Sequence, residues 1–283
     1  MKVSQLWRYP VKSMVGGRVD SIELDELGIV GDRTWAARDL ERGGIRGAKK
    51  IGSLMRLAAR DVDNGHVEIT LPDGSTVRTS DPDVDERVSV ALDHRVRLER
   101  LHPSDDLDHY RRGGPDTDDV MAELRGIFGR DADEPLPDFS VFPPSIAEFE
   151  SPPGTYYDVF PLMVMTESAF SALEAALPES NVDILRFRPS LVVDTQDDGA
   201  DATTPGHPEF DWTGRRATIG SAVIEFGAPC PRCVMVTREI NESVPADRAV
   251  LRHIVRDLDQ NLGIYATIVK PGVARVGDPV SFV

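Results

Sequence analysis

Short stretches in which apolar and polar residues alternate, each bounded by turn residues, constrain the fold of this chain more than any other feature. Residues 18–27 (RVDSIELDEL) alternate in this way, and residues 65–79 (GHVEITLPDGSTVRT) form two alternating runs around a Pro-Asp-Gly turn at 72–74. Such alternation is typical of a β-strand with one buried face, and two runs around a turn predict a hairpin. The alternation continues through residues 88–101 (VSVALDHRVRLERL), so strands are predicted in most of the first hundred residues.

The second half of the chain continues the strand pattern. We predict strands within residues 161–165 and 187–194, two within 212–227, and two more joined at residues 271–272. Many short strands with few helices predict a β-barrel or mixed β architecture.

Three segments favour helices instead. Residues 118–129 (DDVMAELRGIFG) form one short candidate. A second helix is predicted to begin at Thr166 as its N-cap, to carry apolar residues on one face, and to end at Pro178. A third is predicted within residues 246–263, where Gly263 stands in the position of a C-terminal cap.

The composition of residues 102–155 divides the chain into three parts. This stretch is rich in Asp, Pro and Gly, and apart from its one helix we predict an irregular region that connects residues 1–101 to residues 156–283. Its acidic run DADEPLPD (131–138) is expected to form a solvated surface.

The charge of the chain excludes some classes of partner. The net charge is −16, from 48 acidic against 32 basic residues, which argues against nonspecific binding to nucleic acid or to anionic membranes. No stretch approaches the roughly 18 apolar residues of a membrane helix, and the N-terminus lacks the apolar run of a signal peptide. We therefore expect a soluble, cytoplasmic protein without nucleic-acid or membrane partners.

The only two cysteines, Cys230 and Cys233, lie three positions apart in APCPRCVMV (228–236). Structural zinc needs four ligands, and the chain has neither a second CxxC nor paired histidines at ligand spacing, which argues against zinc. A thioredoxin-like pair opens a helix, whereas this pair follows a predicted strand and is flanked by prolines. A redox pair and incidental thiols stay open beside a third interpretation, a single thiolate ligand for a soft metal, whose ionised form Arg232 would favour.

Basic residues gather beside Gly and Pro turns although the chain is acidic. The segments are YPVKSM (9–14), GDRTW (31–35), RGAKK (46–50) and RFRPS (186–190). Turn N–H groups together with Arg and Lys bind phosphate well, so these segments are candidates for an anionic pocket. Neither a Walker A nor a GxGxxG pattern is present, so the common nucleotide cradles are not supported.

Taken together, these segments resemble the MOSC family, named for the C-terminal domain of molybdenum cofactor sulfurase. The resemblance is to its branch with an N-terminal β-barrel domain, which includes the mitochondrial amidoxime-reducing component and related bacterial reductases. The segments that carry it are LWRYPVKSMVGG (6–17), ELDELGIVGDRTWAARD (23–39), RFRPSLVVD (186–194), APCPRCVMVTRE (228–239) and GIYATIVKPGVARVGDPV (263–280). It covers nearly the whole chain except roughly residues 102–155.

The resemblance implies a mixed, β-rich α+β fold, with an N-terminal β-barrel-like domain (1–101) followed by a MOSC β-barrel domain (156–283) with a few helices. It also implies that the molybdenum cofactor, molybdopterin-bound molybdenum, lies in a cleft between them. Cys233 would be the metal ligand and the catalytic residue, and Cys230 a bystander. The cofactor-binding residues that it implies are Lys12, Ser13, Arg33, Thr166, Ser168, Arg188, Ser190 and Arg232; Ser190 stands where the family motif has Asn.

The function implied by the resemblance is reduction of N-hydroxylated small molecules by a molybdenum-dependent oxidoreductase, independent of pyridoxal phosphate. Because the chain has no further cysteines for an iron–sulfur domain, electrons would come from a separate donor protein of ferredoxin or cytochrome type. Two alternatives stay open. The protein could be a non-catalytic carrier of the cofactor or of sulfur, or a thiol–disulfide module that uses Cys230 and Cys233.

Overall fold

The structure of the protein, a computed structural model, describes residues 1–197 and 199–283. Its β-strands are β1 (Lys2–Arg8), β2 (Gly17–Val19), β3 (Ser21–Leu24), β4 (Trp35–Asp39), β5 (Ile45–Arg46), β6 (Ala58–Asp61), β7 (Val67–Thr70), β8 (Thr76–Arg78), β9 (Val96–Arg100), β10 (Leu162–Thr166), β11 (Leu191–Asp194), β12 (Arg216–Ile219), β13 (Ala222–Pro231), β14 (Asn261–Lys270), β15 (Gly272–Arg275) and β16 (Val280–Phe282). Its α-helices are α1 (Val84–Leu92), α2 (Leu107–Tyr110), α3 (Val120–Phe128), α4 (Glu167–Ala176) and α5 (Arg248–Asp257).

Eight strands form one large sheet in which the two ends of the chain meet. The strand order is β16-β12-β13-β14-β10-β11-β1-β2, with β10 parallel to β11 and the other neighbours antiparallel. The N–H of Val280 donates to the carbonyl of Met1, and the N–H of Val3 donates to the carbonyl of Asp278. These bonds join the start of β1 to the start of β16, although no ladder between the described strands closes the sheet into a complete barrel.

Two three-stranded sheets, β5-β4-β9 and β6-β7-β8, make up most of the N-terminal half. Strands β7 and β8 form the hairpin predicted around residues 72–74, with Ile69 opposite Val77. Helix α1 contributes its apolar face to the hydrophobic cluster that these strands enclose. The prediction of a mixed, sheet-rich fold with few helices is therefore confirmed.

The two halves of the chain share strands and core residues. Strands β1 and β2 belong to the large sheet of the C-terminal half, and β3 pairs with β15. In return, Ile240 and Val244 pack into the hydrophobic cluster of the N-terminal half. The division into parts at residues 101 and 155 stays a prediction about domains, and the shared strands tie those parts together.

The prediction of a strand across residues 88–92 is wrong, because this stretch is the second half of α1. Val84, Val88 and Leu92 are buried along one helix face, whereas Val90 is 76% exposed. In a short apolar run, the alternation of a strand and the periodicity of a helix are hard to distinguish from sequence alone. Here the buried residues lie four positions apart, which is the spacing of one helix face. Strand β9 begins only at Val96.

The prediction that Gly263 caps the third helix is also wrong. Helix α5 ends at Asp257, and Gly263 lies inside β14 with φ of +74°. A Cβ at this position would lie 2.8 Å from the carbonyl oxygen of Val164 and from the sulfur of Met163. The glycine therefore permits a positive φ and a close approach of β14 to β10.

Residues 102–155 are irregular apart from short helical turns, α2 and the predicted helix α3. The Asp119 side chain caps α3 by accepting the N–H groups of Met121 and Ala122, and Gly129 ends it in the left-handed conformation. The expectation of a solvated acidic surface at residues 131–138 is wrong for Glu134, which is 6% exposed and paired with Arg256. No helix in residues 1–197 or 199–283 has the length and apolarity that a membrane span requires.

Candidate functional site

A cavity of about 940 Å³ brings together side chains from distant parts of the chain. Nine Lys and Arg residues line it against four Asp and Glu residues, the reverse of the balance in the whole protein. The predicted site residues that line it are Lys12, Ser13, Arg33, Arg188, Ser190, Arg232 and Cys233. The basic segments noted in the sequence thus converge on a cavity whose lining also includes both cysteines.

Strained backbone positions hold three of these side chains. Ser13, Arg33 and Arg188 have positive φ values of 68°, 49° and 56°, and they are three of the eight such non-glycine residues in the described chain. Positive φ is costly for residues with a Cβ and is concentrated at functional sites. The turns after β1, before β4 and before β11 therefore direct side chains into the cavity at some conformational cost.

The ring of Tyr9 packs against the guanidinium groups of Arg33 and Arg188. Its ring centroid lies 4.2 Å from Cζ of Arg188 and 5.2 Å from Cζ of Arg33. The Tyr9 hydroxyl donates to the carbonyl of Pro189 at 3.0 Å, and its N–H donates to Oδ1 of the buried Asp32 at 2.5 Å. Asp32 also pairs with Arg33, so one buried tyrosine and one buried carboxylate fix the positions of both arginines.

Arg188 is a buried cation with an unused donor. One terminal nitrogen, Nη1, donates to the carbonyl of Met14, while Nη2 is buried and has no partner among the described residues. Burial and the nearby Arg33 lower the pKa of Arg188 to about 10, so the side chain remains charged at neutral pH. A buried charged donor is unfavourable unless it donates a hydrogen bond to an acceptor, and an anion in the cavity would supply that acceptor.

The two cysteines have different surroundings. Cys230 is 3% exposed and packs in the hydrophobic cluster formed by α4, α5 and the large sheet. Its sulfur accepts a hydrogen bond from Nη1 of Arg232 at 3.2 Å. Cys233 is only partly buried and lies at the cavity wall. Arg232 also donates from Nη2 to the carbonyl of Phe187 at 2.8 Å, which fixes the chain between the two thiols.

Arg232 lowers the pKa of Cys233, in the direction expected from the sequence, but its effect is smaller than that of burial. Burial raises the pKa of the Cys233 thiol above its usual value, and Lys49 opposes this rise more strongly than Arg232 does. In the protein alone the thiol is therefore protonated at neutral pH. A bound cation would be needed to make the thiolate the predominant form.

Lys12 and Lys49 share one carboxylate at the edge of the cavity. Nζ of Lys12 lies 2.6 Å from Oδ1 of Asp158, and Nζ of Lys49 lies 2.9 Å from Oδ2. Partial burial alone would raise the pKa of Asp158, but the two lysines hold it well below its usual range. Burial lowers the pKa of Lys12, and Asp158 counteracts that effect, so one carboxylate stabilises both lysines in their charged forms.

Two predicted cofactor-binding residues, Thr166 and Ser168, do not line the cavity. The Thr166 hydroxyl accepts the N–H of Ala169 as the predicted N-cap of α4 and donates to the buried carboxylate of Glu209 at 2.8 Å. Ser168 Oγ lies 3.1 Å from this hydroxyl. Their hydroxyl groups are therefore committed to a buried network at the start of α4.

Sequence reasoning did not select Lys49 or Asp158. Lys49 belongs to RGAKK, which was noted as basic, but nothing in the segment distinguishes Lys49 from Lys50. In the structure Lys50 pairs with Asp116 and Glu123, and Lys49 is the lysine that acts on Cys233. Asp158 stands in an ordinary YYDVF segment, so no sequence signal marked it.

A zinc site at the cysteines also finds no support in the geometry. In the part of the chain that the structure describes, the one group of three possible metal ligands with donor atoms within 4.8 Å of one another is Glu99, His102 and His109. Neither cysteine belongs to it.

The comparisons with known proteins assign the family. The model of the MOSC domain matches residues 153–281, and the model of the MOSC N-terminal beta barrel domain matches residues 1–110. Together the two models cover most of the chain in the expected order. The protein therefore belongs to the MOSC family, in the branch that carries both domains.

The curated relatives that this chain resembles are mitochondrial amidoxime-reducing components. It is 30% identical to human component 2 over 137 residues, which are 44% of this chain and 38% of that protein, so this match spans well under half of the relative. It is 24% identical to human component 1 over an alignment of 301 positions, which covers 98% of this chain and 82% of that protein. Among solved structures, the YUAD protein from Bacillus subtilis aligns over 99% of this chain and 94% of that chain at 11% identity, with a TM-score of 0.43 that is too low to carry an argument.

Proposed function

We propose that this protein binds the molybdenum cofactor in the cavity and reduces N-hydroxylated small molecules with electrons from a separate donor protein. The observation that carries the proposal is the position of a partly buried thiol, Cys233, beside a basic wall in a chain of net charge −16. The names of the amidoxime-reducing relatives support the choice of reaction.

The residues present fit an anionic, sulfur-bound metal cofactor. Nη2 of Arg188 and Nε of Arg232 are buried without partners among the described residues, so acidic groups of a cofactor could accept from them. A thiolate is a suitable ligand for a soft metal, and Cys233 is the more exposed of the two cysteines that line the cavity. Cys230 is the less suitable ligand, because it is 3% exposed, packs in the hydrophobic cluster and its sulfur already accepts a hydrogen bond from Arg232.

Each residue of the site then has a distinct part. When bound, the cofactor supplies the change in molybdenum oxidation state with which an N–OH group loses its oxygen. Cys233 holds the metal as a thiolate, and Lys49 stabilises that negative charge. Arg33, Arg188 and Arg232 bind the anionic groups of the cofactor, while Asp158 keeps Lys12 and Lys49 in place. The net reaction takes two electrons and two protons per N–OH group and releases water.

The proposal is tested with a matched pair of variants that separate the two thiols. Cys233→Ser is expected to abolish molybdenum retention, whereas Cys230→Ser is expected to keep most of it, because Cys233 is partly exposed at the cavity wall and Cys230 is buried behind it. Elemental analysis of both purified proteins measures this. Equal loss from both variants would instead indicate a paired-thiol site and contradict the assignment of Cys233 as the single ligand.

The same proteins test turnover. Molybdenum-loaded wild type with reduced viologen as the electron source is expected to convert an amidoxime to the amidine, and Cys233→Ser is expected to lose this activity together with the metal. The chemical donor replaces the unknown protein partner, so a missing partner cannot cause a negative result. If molybdenum-loaded wild type shows no more turnover than Cys233→Ser, the reductase function is contradicted and the function as a non-catalytic carrier is supported.

A further inference from the structure

Residues 111–152, here called the cap, lie between the two family matches, which end at residue 110 and resume at residue 153. The cap nevertheless lines a large part of the cavity. Apolar cap residues at its wall include Val120, Leu124, Ile127, Phe128, Phe139 and Phe142. Eight of the nine Lys and Arg residues of the lining therefore belong to the two family domains, while a segment that neither family model includes adds a second set of apolar residues to those of the C-terminal domain.

The start of the cap is fixed to the N-terminal half. The N–H of Gly114 donates to the carbonyl of Arg42 at 2.8 Å. Asp116 accepts from Arg46 at 3.1 Å and pairs with Lys50 at 3.0 Å. Arg46 is 5% exposed at its side chain and Asp116 is 45% exposed, so a buried guanidinium holds a carboxylate that solvent still reaches.

The end of α3 is fixed beside the metal-ligand candidate. Nη2 of Arg130 donates to the carbonyl of Arg232 at 3.0 Å, one residue before Cys233. A Cβ at Gly129 would lie 3.3 Å from Cα of Val234, one residue after Cys233. Asp131 pairs with Arg252 of α5 at 2.8 Å. These contacts place the apolar wall next to the position where the reaction is proposed.

The face of α3 that is turned to the cavity is mainly apolar, and its one acidic residue, Glu123, is paired with Lys50. Val120, Leu124 and Ile127 follow one another at helical spacing and all line the cavity, and Val120 is 68% exposed. Met121 on the same helix is 51% exposed and lies outside the lining. Apolar side chains that border a cavity with a few charged groups are typical of a small-molecule site in which they contact the body of the ligand.

We propose that the cap determines substrate specificity, and that the preferred substrates carry their N–OH group on an aromatic or bulky aliphatic body. This proposal rests on the proposed reductase function. The basic wall is occupied by the anionic groups of the cofactor, and the neutral N-hydroxylated substrate lies between Cys233 and α3. Contacts with Leu124 and Ile127 then favour a phenyl group over a methyl group, since the phenyl group buries more apolar surface.

The test compares benzamidoxime with acetamidoxime. Both compounds carry the same amidoxime group, which bears a phenyl group in the first and a methyl group in the second. Wild type is expected to show a kcat/KM about tenfold or more higher for benzamidoxime, with most of the difference in KM. Leu124→Asn is expected to reduce this preference by on the order of tenfold, and Met121→Asn is expected to leave it unchanged. Ile127→Asn provides a second variant if Leu124→Asn does not fold.

Binding to the oxidised protein without an electron donor separates this proposal from the reductase function. Calorimetry is expected to show tighter binding of benzamidoxime than of acetamidoxime, and loss of that difference in Leu124→Asn. If loaded wild type binds both compounds in this order and reduces neither, the reductase function fails and the cap assignment stands. Equal binding of both compounds, or an unchanged preference in both cavity-facing variants, would overturn the cap assignment. Loss of molybdenum from Leu124→Asn but not from Met121→Asn would overturn it as well, because the apolar wall would then hold the cofactor.

Discussion

Cys233 depends on its neighbours for reactivity. Burial raises the pKa of its thiol, and Lys49 is the neighbour that lowers it most. A thiol whose pKa is raised reacts slowly at neutral pH, and its reaction rate increases as the pH rises towards that pKa. Lys49 is itself held near the site by Asp158, so the reactivity of the cysteine is set by residues distant in sequence.

We expect Lys49→Met to slow alkylation of Cys233 by iodoacetamide in cofactor-free protein by roughly threefold or more at neutral pH, because the thiolate loses its main stabilising charge. The expected rate profile shifts to higher pH. Mass spectrometry measures it, since trypsin cuts after Arg232 and separates the two cysteines. Lys50→Met is the control, because Lys50 pairs with Asp116 and Glu123. Equal slowing by both substitutions would contradict a specific effect of Lys49.

At the level of single residues, the sequence indicated the type of site better than its details. Arg33 and Arg188 were predicted because they stand in motifs that resemble the family, and both line the cavity. The motifs could not indicate that Lys49 rather than Lys50 faces the thiol, because that depends on which lysine Asp116 and Asp158 each pair with. Pairings between residues so far apart in the sequence are a property of the folded chain.

At the level of elements, the start of α4 shows a residue whose local role was predicted correctly. Thr166 was expected as an N-cap, and its hydroxyl accepts the N–H of Ala169. The same hydroxyl donates to the buried Glu209. A helix N-terminus can bind a phosphate, but these hydrogen bonds indicate a structural role for this threonine.

Thr166→Ala is therefore expected to lower the free energy of unfolding by about 1–3 kcal/mol, because it removes an N-cap and leaves a buried carboxylate short of a donor. Thr166→Ser is expected to restore most of that loss, since it keeps the hydroxyl. Urea unfolding measures both, and molybdenum content is expected to stay unchanged. A Thr166→Ala protein of normal stability that retains less molybdenum would instead support the predicted cofactor contact.

The helix α1 shows why some elements were not predictable from local pattern. Residues 88–92 satisfy both a strand period and a helical period, and the choice between them was made by packing of Val84, Val88 and Leu92 into the N-terminal cluster. Gly263 is a second example, since its positive φ serves the contact between β14 and β10 rather than the end of α5. In both cases a tertiary contact overrode a local signal.

At the level of the whole molecule, the two family domains are not independent in their packing. The first strands of the chain lie in the large sheet, where β1 pairs with β11. Strand β3 pairs with β15, and Ile240 and Val244 complete the hydrophobic cluster of the other half. The cavity with its basic wall lies among residues from both halves, so its geometry depends on this shared packing.

We expect the protein to unfold in a single cooperative transition, because neither half retains its core without the other. Unfolding in urea is followed by tryptophan fluorescence and by far-ultraviolet circular dichroism, and the two curves are expected to coincide. The tryptophans suit the measurement, since Trp35 lies in the N-terminal cluster and Trp212 in the core of the large sheet. As a control, a fragment of residues 156–283 lacks β1 and β3 and is expected to show no cooperative transition. Two separated transitions in the whole chain, or a fragment that folds cooperatively, would show that the shared strands contribute little to stability.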